Sequence, residues 1–303
     1  MAKPTIAILG AGRLGSALAK QLARSGYRVR EIVFHGNPEF TRRLAKQIGA
    51  RACALESARL NVELVWFCVP DGAIAKCATR LGESSWRGKI AFHSSGVLTS
   101  DALEPLARRG AKVASVHPLM TFVKDSLPDL TGVAFALEGD PGALAVASTI
   151  VRDLGGRLLR LKPTDKVAYH AFATMICPLL VSLLAAAEAV AARAHLPGRE
   201  ARQLAMPMIE QTLANYRTLG PARSFTGPIA RGDGETIRRH LKVLAKARPA
   251  EHAYVALAQA ALEYLPSANP RELRTLLSRV GLQTAVRSAR GTNLASRRAA
   301  HSG

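Results

Sequence analysis

The sequence predicts a doubly wound, mostly parallel α/β domain followed by an all-helical domain. Apolar segments of strand length alternate with helix-compatible segments up to about residue 162, a pattern typical of α/β folds. The first strand ends in a glycine-rich turn that opens a helix, and beyond residue 162 only helical patterns follow. We therefore predict an α/β domain over residues 1–162, a helical domain over 163–280 and a disordered basic tail over 281–303.

The glycine-rich turn follows the first apolar segment, residues 5–9, and reads GAGRLG over residues 10–15. Such a turn between strand and helix lets backbone N–H groups approach a pyrophosphate, and the helix N-terminus adds a favourable dipole. A lone GxGxxG is weak evidence, but its place directly after the first strand strengthens it. The turn predicts a dinucleotide site; a turn that only packs the helix on the strand is the alternative. The predicted cofactor contacts are Gly10, Gly12, Arg13, Leu14 and Gly15.

Composition is that of a folded, soluble protein, with 48% hydrophobic and 21% charged residues. The four cysteines form no CxxC pair and have no histidine at ligand spacing. This pattern argues against a zinc site or a disulfide framework and suits a reducing compartment. The first apolar run is shorter than the roughly 7–15 residues of a signal-peptide core. We expect a cytoplasmic protein without a metal.

The chain is strongly basic, with a formal net charge of +20 and 31 arginines among 42 basic residues. A basic surface can steer an anionic cofactor or substrate, or bind nucleic acid without sequence preference. The basic residues are scattered, and no aromatic platform accompanies them. We predict no specific nucleic-acid partner, and a basic nucleic-acid-binding protein is a minor alternative.

The end of the second predicted strand, residues 27–34, bears on the choice of cofactor. An acidic residue there accepts the ribose hydroxyls of NAD, whereas basic residues accommodate the 2′-phosphate of NADP. This chain has His35-Gly36-Asn37 and no acid, and Arg42 and Arg43 follow on the next helix. We predict NADP, with His35 and Arg42 as contacts. NAD stays possible, because both arginines could simply lie on a solvated helix face.

Three later strands end in residues that suit a ligand, since ligands bind at the carboxyl ends of parallel strands. The strand at 64–69 leads into a turn that predicts cofactor contacts from Val69, Pro70 and Asp71. The strands at 89–92 and 112–116 lead into histidines. We predict that residues following these two strands contact the substrate. The alternative after the first strand is a serine-rich helix cap, and after the second it is a rigid His-Pro turn. These predicted substrate residues are Ser94, Ser95, Gly96 and His117.

The helical domain begins with a pattern over residues 164–195 that contains an uncharged stretch at 171–187. Seventeen residues is the lower edge of a membrane span. Pro178 and the polar residues Thr174 and Ser182 favour a buried helix of a helical domain instead. We expect no membrane association. Further helical patterns follow at 198–219, 233–247, 249–264 and 270–280.

Lys166 and His170 are the candidate proton-transfer residues. They lie four residues apart and so share one helix face, next to Tyr169. Hydride transfer to a carbonyl or imine needs a proton donor, which a histidine or a lysine of lowered pKa can supply. A surface lysine and a histidine bonded to a neighbour are the alternative.

Residues 224–233, SFTGPIARGD, form a glycine-rich break between helices. Asp233 is suited to cap the following helix. Arg231 either pairs with Asp233 or holds an anionic substrate. Thr226 and Arg231 complete the predicted substrate contacts.

Five motifs occur in an order and spacing that resemble one family: the glycine turn, FHSSG at 92–96, SVHPLMTF at 115–122, the Lys166–His170 pair and TGPIARGD at 226–233. Over residues 4–265 the chain resembles NADP-dependent oxidoreductases that join a Rossmann-like domain to the helical "domain of unknown function 2520". It is more distantly similar to pyrroline-5-carboxylate reductase and the β-hydroxyacid dehydrogenases. The resemblance implies a helical domain like the C-terminal domain of 6-phosphogluconate dehydrogenase. It also implies a nicotinamide cofactor between the domains and a homodimer formed through the helical domain.

Two departures from the family pattern qualify this resemblance. Relatives often carry Ser-Arg at the tip of the second strand, where this chain has His35-Gly36-Asn37, and Ser-Asn where it has Cys177-Pro178. The second departure would alter the substrate or abolish activity if that asparagine contacts the reacting groups. We predict an NAD(P)-dependent oxidoreductase, with NADP favoured, acting on a small anionic carbonyl, hydroxyl or imine compound. A non-catalytic dinucleotide-binding sensor is the alternative.

Overall fold

The computed structural model describes residues 2–34, 38–124 and 126–278. Contacts divide the chain into two compact units, Met1–Cys177 and Pro178–Gly303. This division lies later than the predicted boundary at residue 162, because the helix that begins at Lys166 is bonded to the sheet through its first side chain. The predicted tail at 281–303 lies outside the described residues.

The first unit contains one eight-stranded sheet in the order β3-β2-β1-β4-β5-β6-β7-β8. Neighbouring strands are parallel except β6 and β7, which pair antiparallel. The predicted mostly parallel sheet is therefore confirmed. The strands are β1 Ile6–Leu9, β2 Val29–Phe34, β3 Arg51–Ala54, β4 Leu64–Phe67, β5 Ile90–His93, β6 Lys112–Pro118, β7 Ala134–Gly139 and β8 Arg157–Arg160.

Helices cover both faces of this sheet, as a doubly wound fold requires. Alternate residues of β1 point to opposite faces: Ile6 and Ile8 join the core under α1, α2 and α5, whereas Ala7 and Leu9 join the core under α3 and α4. The helices of this unit are α1 Arg13–Arg24, α2 Pro38–Ile48, α3 Asp71–Leu81, α4 Glu104–Ala107, α5 Pro141–Asp153 and α6 Lys166–Ile176. The carboxyl ends of β1, β4, β5 and β6 lie along one edge, where a ligand is expected.

The described part of the second unit is helical, as predicted. Its core is formed by α10, α11 and the helical residues 270–278. Asp233 caps α10, since its carboxylate accepts hydrogen bonds from the Thr236 backbone N–H at 3.0 Å and the Thr236 hydroxyl at 2.7 Å. The predicted cap is confirmed. The helices are α7 Pro178–Ala191, α8 Gly198–Leu219, α9 Pro221–Ser224, α10 Gly234–Leu244 and α11 Arg248–Tyr264.

The helix expected over residues 164–195 is two helices, because it breaks at Cys177. This residue has φ −121° and ψ −82°, outside the helical region. Pro178 causes the break: it has no N–H to donate, and its ring disfavours helical geometry at the preceding residue.

The expectation of a buried helix at residues 171–187 is wrong for the single chain. The helical stretch Pro163–Ala194 is long and apolar enough to cross a membrane, with a mean hydropathy of 2.1 over its most apolar window, and none of that window is buried. No residue of α7 is buried, and Val181 is 63% exposed. Within the second unit, α8 and α11 pack against α7 without covering its circumference.

Candidate active site

The glycine-rich turn joins β1 to α1 through close backbone contacts that only glycine allows. Gly10 has φ +99°, and a Cβ atom on it would lie 2.5 Å from the Cys68 carbonyl oxygen. A Cβ atom on Gly15 would lie 1.9 Å from the Gly10 carbonyl oxygen. At Gly12, by contrast, a Cβ atom would meet nothing within 4 Å. The turn therefore leaves open space beside the N-terminus of α1, where no side chain caps the helix, and it fits a bound phosphate group.

A cavity of about 750 Å³ lies beside this turn, within the size range of cofactor and ligand pockets. Both arginines on α2 are exposed; Arg43 lines this cavity, and Arg42 is not part of its lining. Lys124 is a second basic residue of the lining, which sequence reasoning missed. The described residues that line the cavity are Gly10, Ala11, Gly12, Phe34, Phe40, Thr41, Arg43, Cys68, Val69, Pro70, Ala73, Cys77 and Lys124.

The other predicted cofactor residues that the structure describes are not part of the cavity lining. Arg13 and Leu14 form the first turn of α1, and Gly15 packs beneath the glycine turn. Asp71 is the exposed first residue of α3. His35 lies outside the described residues.

Ser94 and Ser95, predicted as substrate contacts, use their hydroxyls to build the turn after β5. Ser94 Oγ accepts from Trp66 Nε1 at 2.8 Å and donates to the Val116 carbonyl at 2.9 Å. Ser95 Oγ accepts from the backbone N–H groups of the residues two and three positions later, at 3.3 and 3.0 Å. Their hydrogen bonds hold the strand end together.

His93, the last residue of β5, is fully buried and has a partner at each ring nitrogen. Its Nε2 lies 2.9 Å from the Thr99 carbonyl oxygen, and its Nδ1 accepts from the Ser95 N–H at 3.1 Å. Burial lowers the pKa of His93 to about 4. Both hydrogen bonds are those of a neutral imidazole with its proton on Nε2.

Lys166, the first residue of α6, is 1% exposed. Its ammonium donates to the Ser95 carbonyl at 3.1 Å and to the Ser115 hydroxyl, and it lies 3.8 Å from Glu138 Oε1. Glu138 is 3% exposed and accepts from the Ser100 N–H and hydroxyl at 2.8 and 2.9 Å. Burial lowers the pKa of Lys166, and the Glu138 carboxylate opposes this effect.

His117, Tyr169 and His170 come together at the end of β6. Nδ1 of His117 and the Tyr169 hydroxyl are joined by a hydrogen bond of 2.9 Å, and the His117 and His170 rings lie 6.3 Å apart, edge to face. Gly96 makes room for them, since a Cβ atom there would lie 2.5 Å from His170 Cδ2 and 3.0 Å from His117 Nε2. The structure thus brings three predicted residues together with Tyr169.

Burial sets the protonation of two members of this cluster. It lowers the pKa of His117 to about 4, with further lowering by the nearby Lys166 ammonium. It raises the pKa of Tyr169 to about 12. At neutral pH a protonated phenol therefore shares its hydrogen bond with a neutral imidazole. His117 and His170 are both half-buried, and Tyr169 is buried.

Thr226 and Arg231 are exposed residues of the second unit. Their loop is fixed within that unit by Ser267, whose hydroxyl donates to the Ile229 carbonyl at 2.7 Å. Gly232 has φ +69° and packs against Asn269, whose backbone N would lie 2.6 Å from an added Cβ. The positive charge of Arg231 helps to lower the pKa of Asp233, after the larger effect of the hydrogen bonds from Thr236.

Comparison with known protein families finds a match in each part of the chain. The family described as "Rossmann-like domain" matches residues 1–118. The family described as "Domain of unknown function (DUF2520)" matches residues 133–261. These are the two domains that the motifs predicted, in the predicted order.

Among curated proteins, the chain is 34% identical over 106 residues to D-apionate oxidoisomerase from Cupriavidus necator. The match covers 35% of this chain and 36% of that protein, so the chain spans about a third of its length.

Solved structures of similar fold cover most of the chain. One is from Bacteroides fragilis and is described as an NADP oxidoreductase; it is 24% identical with a TM-score of 0.73, over 85% of this chain and 97% of that one. Another is an imine reductase from Pseudomonas sp., 21% identical with a TM-score of 0.62, over 91% and 100%. At these identities the likeness shows the fold.

Proposed function

We propose that this chain, a Rossmann-like domain followed by a DUF2520 domain, is an NADP-dependent oxidoreductase in which His117, Tyr169 and His170 handle the proton. The observation that carries the proposal is the His117–Tyr169 hydrogen bond beside His170. This cluster lies at the end of β6, on the sheet edge that also bears the glycine-turn cavity. Fixed hydrogen-bonding side chains beside a dinucleotide site are what a dehydrogenase needs.

The cofactor site is supported by the shape and charge of the cavity. The backbone of Gly10 and Gly12 and the N-terminus of α1 would hold the pyrophosphate. Arg43 and Lys124 would bind the 2′-phosphate that distinguishes NADP from NAD, since both line the cavity. When bound, the nicotinamide supplies or accepts the hydride.

The substrate is a small carbonyl or imine compound, or its reduced form, and the basic chain favours an anionic one. The reduced carbon gains a hydride, and the oxygen or nitrogen bonded to it gains a proton. Of the two half-buried histidines, His117 is already bonded to Tyr169 through Nδ1, so we assign the donation of this proton to His170. Tyr169 and His117 hold the neighbouring hydrogen bond and fix the rings around Gly96.

We also propose that the chain forms a homodimer through its second unit. The exposed large apolar side chains of this unit are concentrated on α7 and α8, among them Leu204, Met208, Leu213 and Tyr216. An apolar cavity of about 560 Å³ adjoins them between α7, α10 and α11. Exposed apolar surface of this extent is typical of a protein–protein interface.

The test of the enzymatic function compares wild-type protein with Tyr169→Phe and His170→Ala. NADPH and NADH are titrated by fluorescence, and turnover is measured against imines, keto acids and hydroxy acids. We expect NADPH to bind to all three proteins, and kcat to fall about 10²–10⁴-fold in His170→Ala, the range for general acid–base catalysis. Tyr169→Phe should lower kcat by a smaller factor, because the phenol acts through His117.

The matched control is Tyr254→Phe, because the Tyr254 hydroxyl also bonds a histidine, His240, at 3.1 Å, but in the second unit. This variant should leave kcat unchanged. Absence of NADPH binding and of any thermal shift would overturn the proposal. Tight NADPH binding without turnover on the whole panel would indicate the sensor function instead.

A further inference from the structure

Lys166 is a buried charge whose role the proposed reaction leaves open. Its side chain is 1% exposed, and burying an ammonium group is costly unless it is paired and hydrogen-bonded. A group that must contact a substrate needs open space at its reacting atom. The Lys166 ammonium instead faces protein acceptors.

These acceptors belong to three different elements of the sheet edge. Ser95 lies in the turn after β5, Ser115 on β6 and Glu138 on β7. Glu138 is itself fixed by two hydrogen bonds from Ser100. One ammonium therefore joins the first residue of α6 to three elements at the edge where the proposed active site lies.

The residues that α6 contributes to the proposed active site follow Lys166 on the same helix face. Tyr169 and His170 lie three and four positions after it, and such residues are neighbours on a helix surface. Tyr169 bonds His117, and His170 packs on Gly96, the residue after Ser95. The Lys166–Ser95 bond thus links the two chain segments that meet at the cluster.

We infer that Lys166 is a positioning residue, whose buried ammonium fixes the start of α6 on the strand ends and so holds Tyr169 and His170 against His117 and Gly96. This inference rests on the proposed function. It assigns the proton transfer to His170 and gives Lys166 no contact with substrate.

The charge of Lys166 has a second effect, on the protonation of His117. The titratable groups around this ring are Lys166 and His170 from α6 and His93 from β5, and among them the Lys166 ammonium lowers the pKa of His117 most. Tyr169 faces the His117 ring as a protonated phenol. The carboxylates of Glu138 and Asp71 raise the pKa of Lys166. Removing the Lys166 charge should therefore raise the pKa of His117, an effect that a purely mechanical anchor would not produce.

The experiment compares Lys166→Met, the double variant Lys166→Met/Glu138→Gln, and the control Lys162→Met, which removes an exposed lysine. Thermal unfolding, NADPH affinity, kcat and KM are measured, and the His117 ring is titrated by NMR of histidine-labelled protein. Lys166→Met should lower kcat about 10²-fold, because small misplacements of reacting groups cost this much, with NADPH affinity unchanged. The His117 titration should move to higher pH, and Lys162→Met should alter neither.

The double variant separates positioning from direct proton donation. It removes the unpaired Glu138 carboxylate that Lys166→Met leaves buried, so we expect recovery of the melting temperature and of about tenfold in kcat. A double variant that regains its melting temperature but stays as slow as Lys166→Met would show that Lys166 donates the proton, and would overturn the inference. So would a His117 titration that Lys166→Met does not move. The NMR readout needs no substrate, so it tests the inference even if the proposed function fails.

Discussion

His93 and His117 lie at the ends of neighbouring strands, and both are kept neutral by burial. His93 is also fixed by its partners, because Nδ1 accepts from the Ser95 N–H while Nε2 faces the Thr99 carbonyl. A second proton on Nδ1 would break the bond to Ser95. The Ser95 carbonyl also accepts a hydrogen bond from the Lys166 ammonium. The neutral form of His93 therefore supports the turn that carries Gly96.

We predict that the first unit loses stability in acid through His93. Its pKa is about 4 in the folded chain against an ordinary 6.5, so the unfolded chain binds more protons between these values. The stabilisation is complete above pH 6.5 and is lost as the pH falls towards 4, on the order of 3 kcal/mol. Urea unfolding followed by tryptophan fluorescence measures it, because both tryptophans, Trp66 and Trp86, are buried in this unit.

The variant His93→Gln should be less stable than wild type at pH 7 and should show a shallower decline from pH 7 to pH 4. His252→Gln is the control, since it removes an exposed histidine of the second unit. An unchanged pH dependence in His93→Gln would contradict the prediction.

At the level of residues, the sequence predicted part of the cluster formed by His117, Tyr169 and His170. The helical spacing selected Lys166 and His170, and the same rule at three residues selects Tyr169. Burial of Lys166 could not be read from sequence, because its partner Glu138 lies on a strand 28 positions earlier whose apolar pattern gave no reason to expect a buried acid. The Ser94 hydroxyl looked available because its partners, Trp66 and Val116, are distant in sequence.

At the level of elements, the clearest helix boundaries were predicted by proline and glycine. The predicted range 198–219 coincides with α8, which begins directly after Pro197. Strand β3 was not predicted, because this edge strand has only four residues, a single one of them buried, and its apolar residues are small. The sequence does contain the cause of the break before α7, Pro178, but the apolar periodicity on both sides concealed it.

We predict that cofactor selectivity depends on Arg43 and not on its neighbour Arg42. Successive residues on α2 point about 100° apart, and only Arg43 lines the cavity. Arg43→Ala should weaken NADPH binding about tenfold or more, since hydrogen bonds to charged groups contribute about 1.5–3 kcal/mol. NADH binding should change little, because NADH lacks the 2′-phosphate.

Arg42→Ala is the matched control and should leave both dissociation constants unchanged in fluorescence titrations. Equal losses of NADPH affinity in the two variants would indicate a general effect of charge on the cofactor. Equal losses of NADPH and NADH affinity in Arg43→Ala would show that Arg43 does not bind the 2′-phosphate.

At the scale of the whole molecule, the two units differ in how far they bury their apolar side chains. The first unit covers both faces of its sheet with its own helices. The second leaves much of α7 and α8 exposed. Composition predicts that an apolar helix will be covered, but it does not say whether the covering surface comes from the same chain. For this reason residues 171–187 were expected to be buried and are exposed in the single chain.

We predict that wild-type protein is a dimer in detergent-free buffer, with twice the 32.3 kDa mass of the chain. Leu204 and Met208 are 62% and 70% exposed and lie one turn apart on α8. The double variant Leu204→Glu/Met208→Glu would bury two charges without partners in a dimer interface, and this is strongly unfavourable. Sedimentation velocity over a range of concentrations should therefore show a monomer for this variant.

The control is Gln203→Glu, which adds a negative charge at an exposed polar position of α8 away from this face and should leave the dimer intact. The monomeric variant should keep its NADPH affinity if, as proposed, the phosphate contacts belong wholly to the first unit. A wild-type protein that sediments as a 32.3 kDa monomer, or that is recovered only with membranes, would contradict the dimer. In the second case the stretch Pro163–Ala194 would be the segment that binds the membrane.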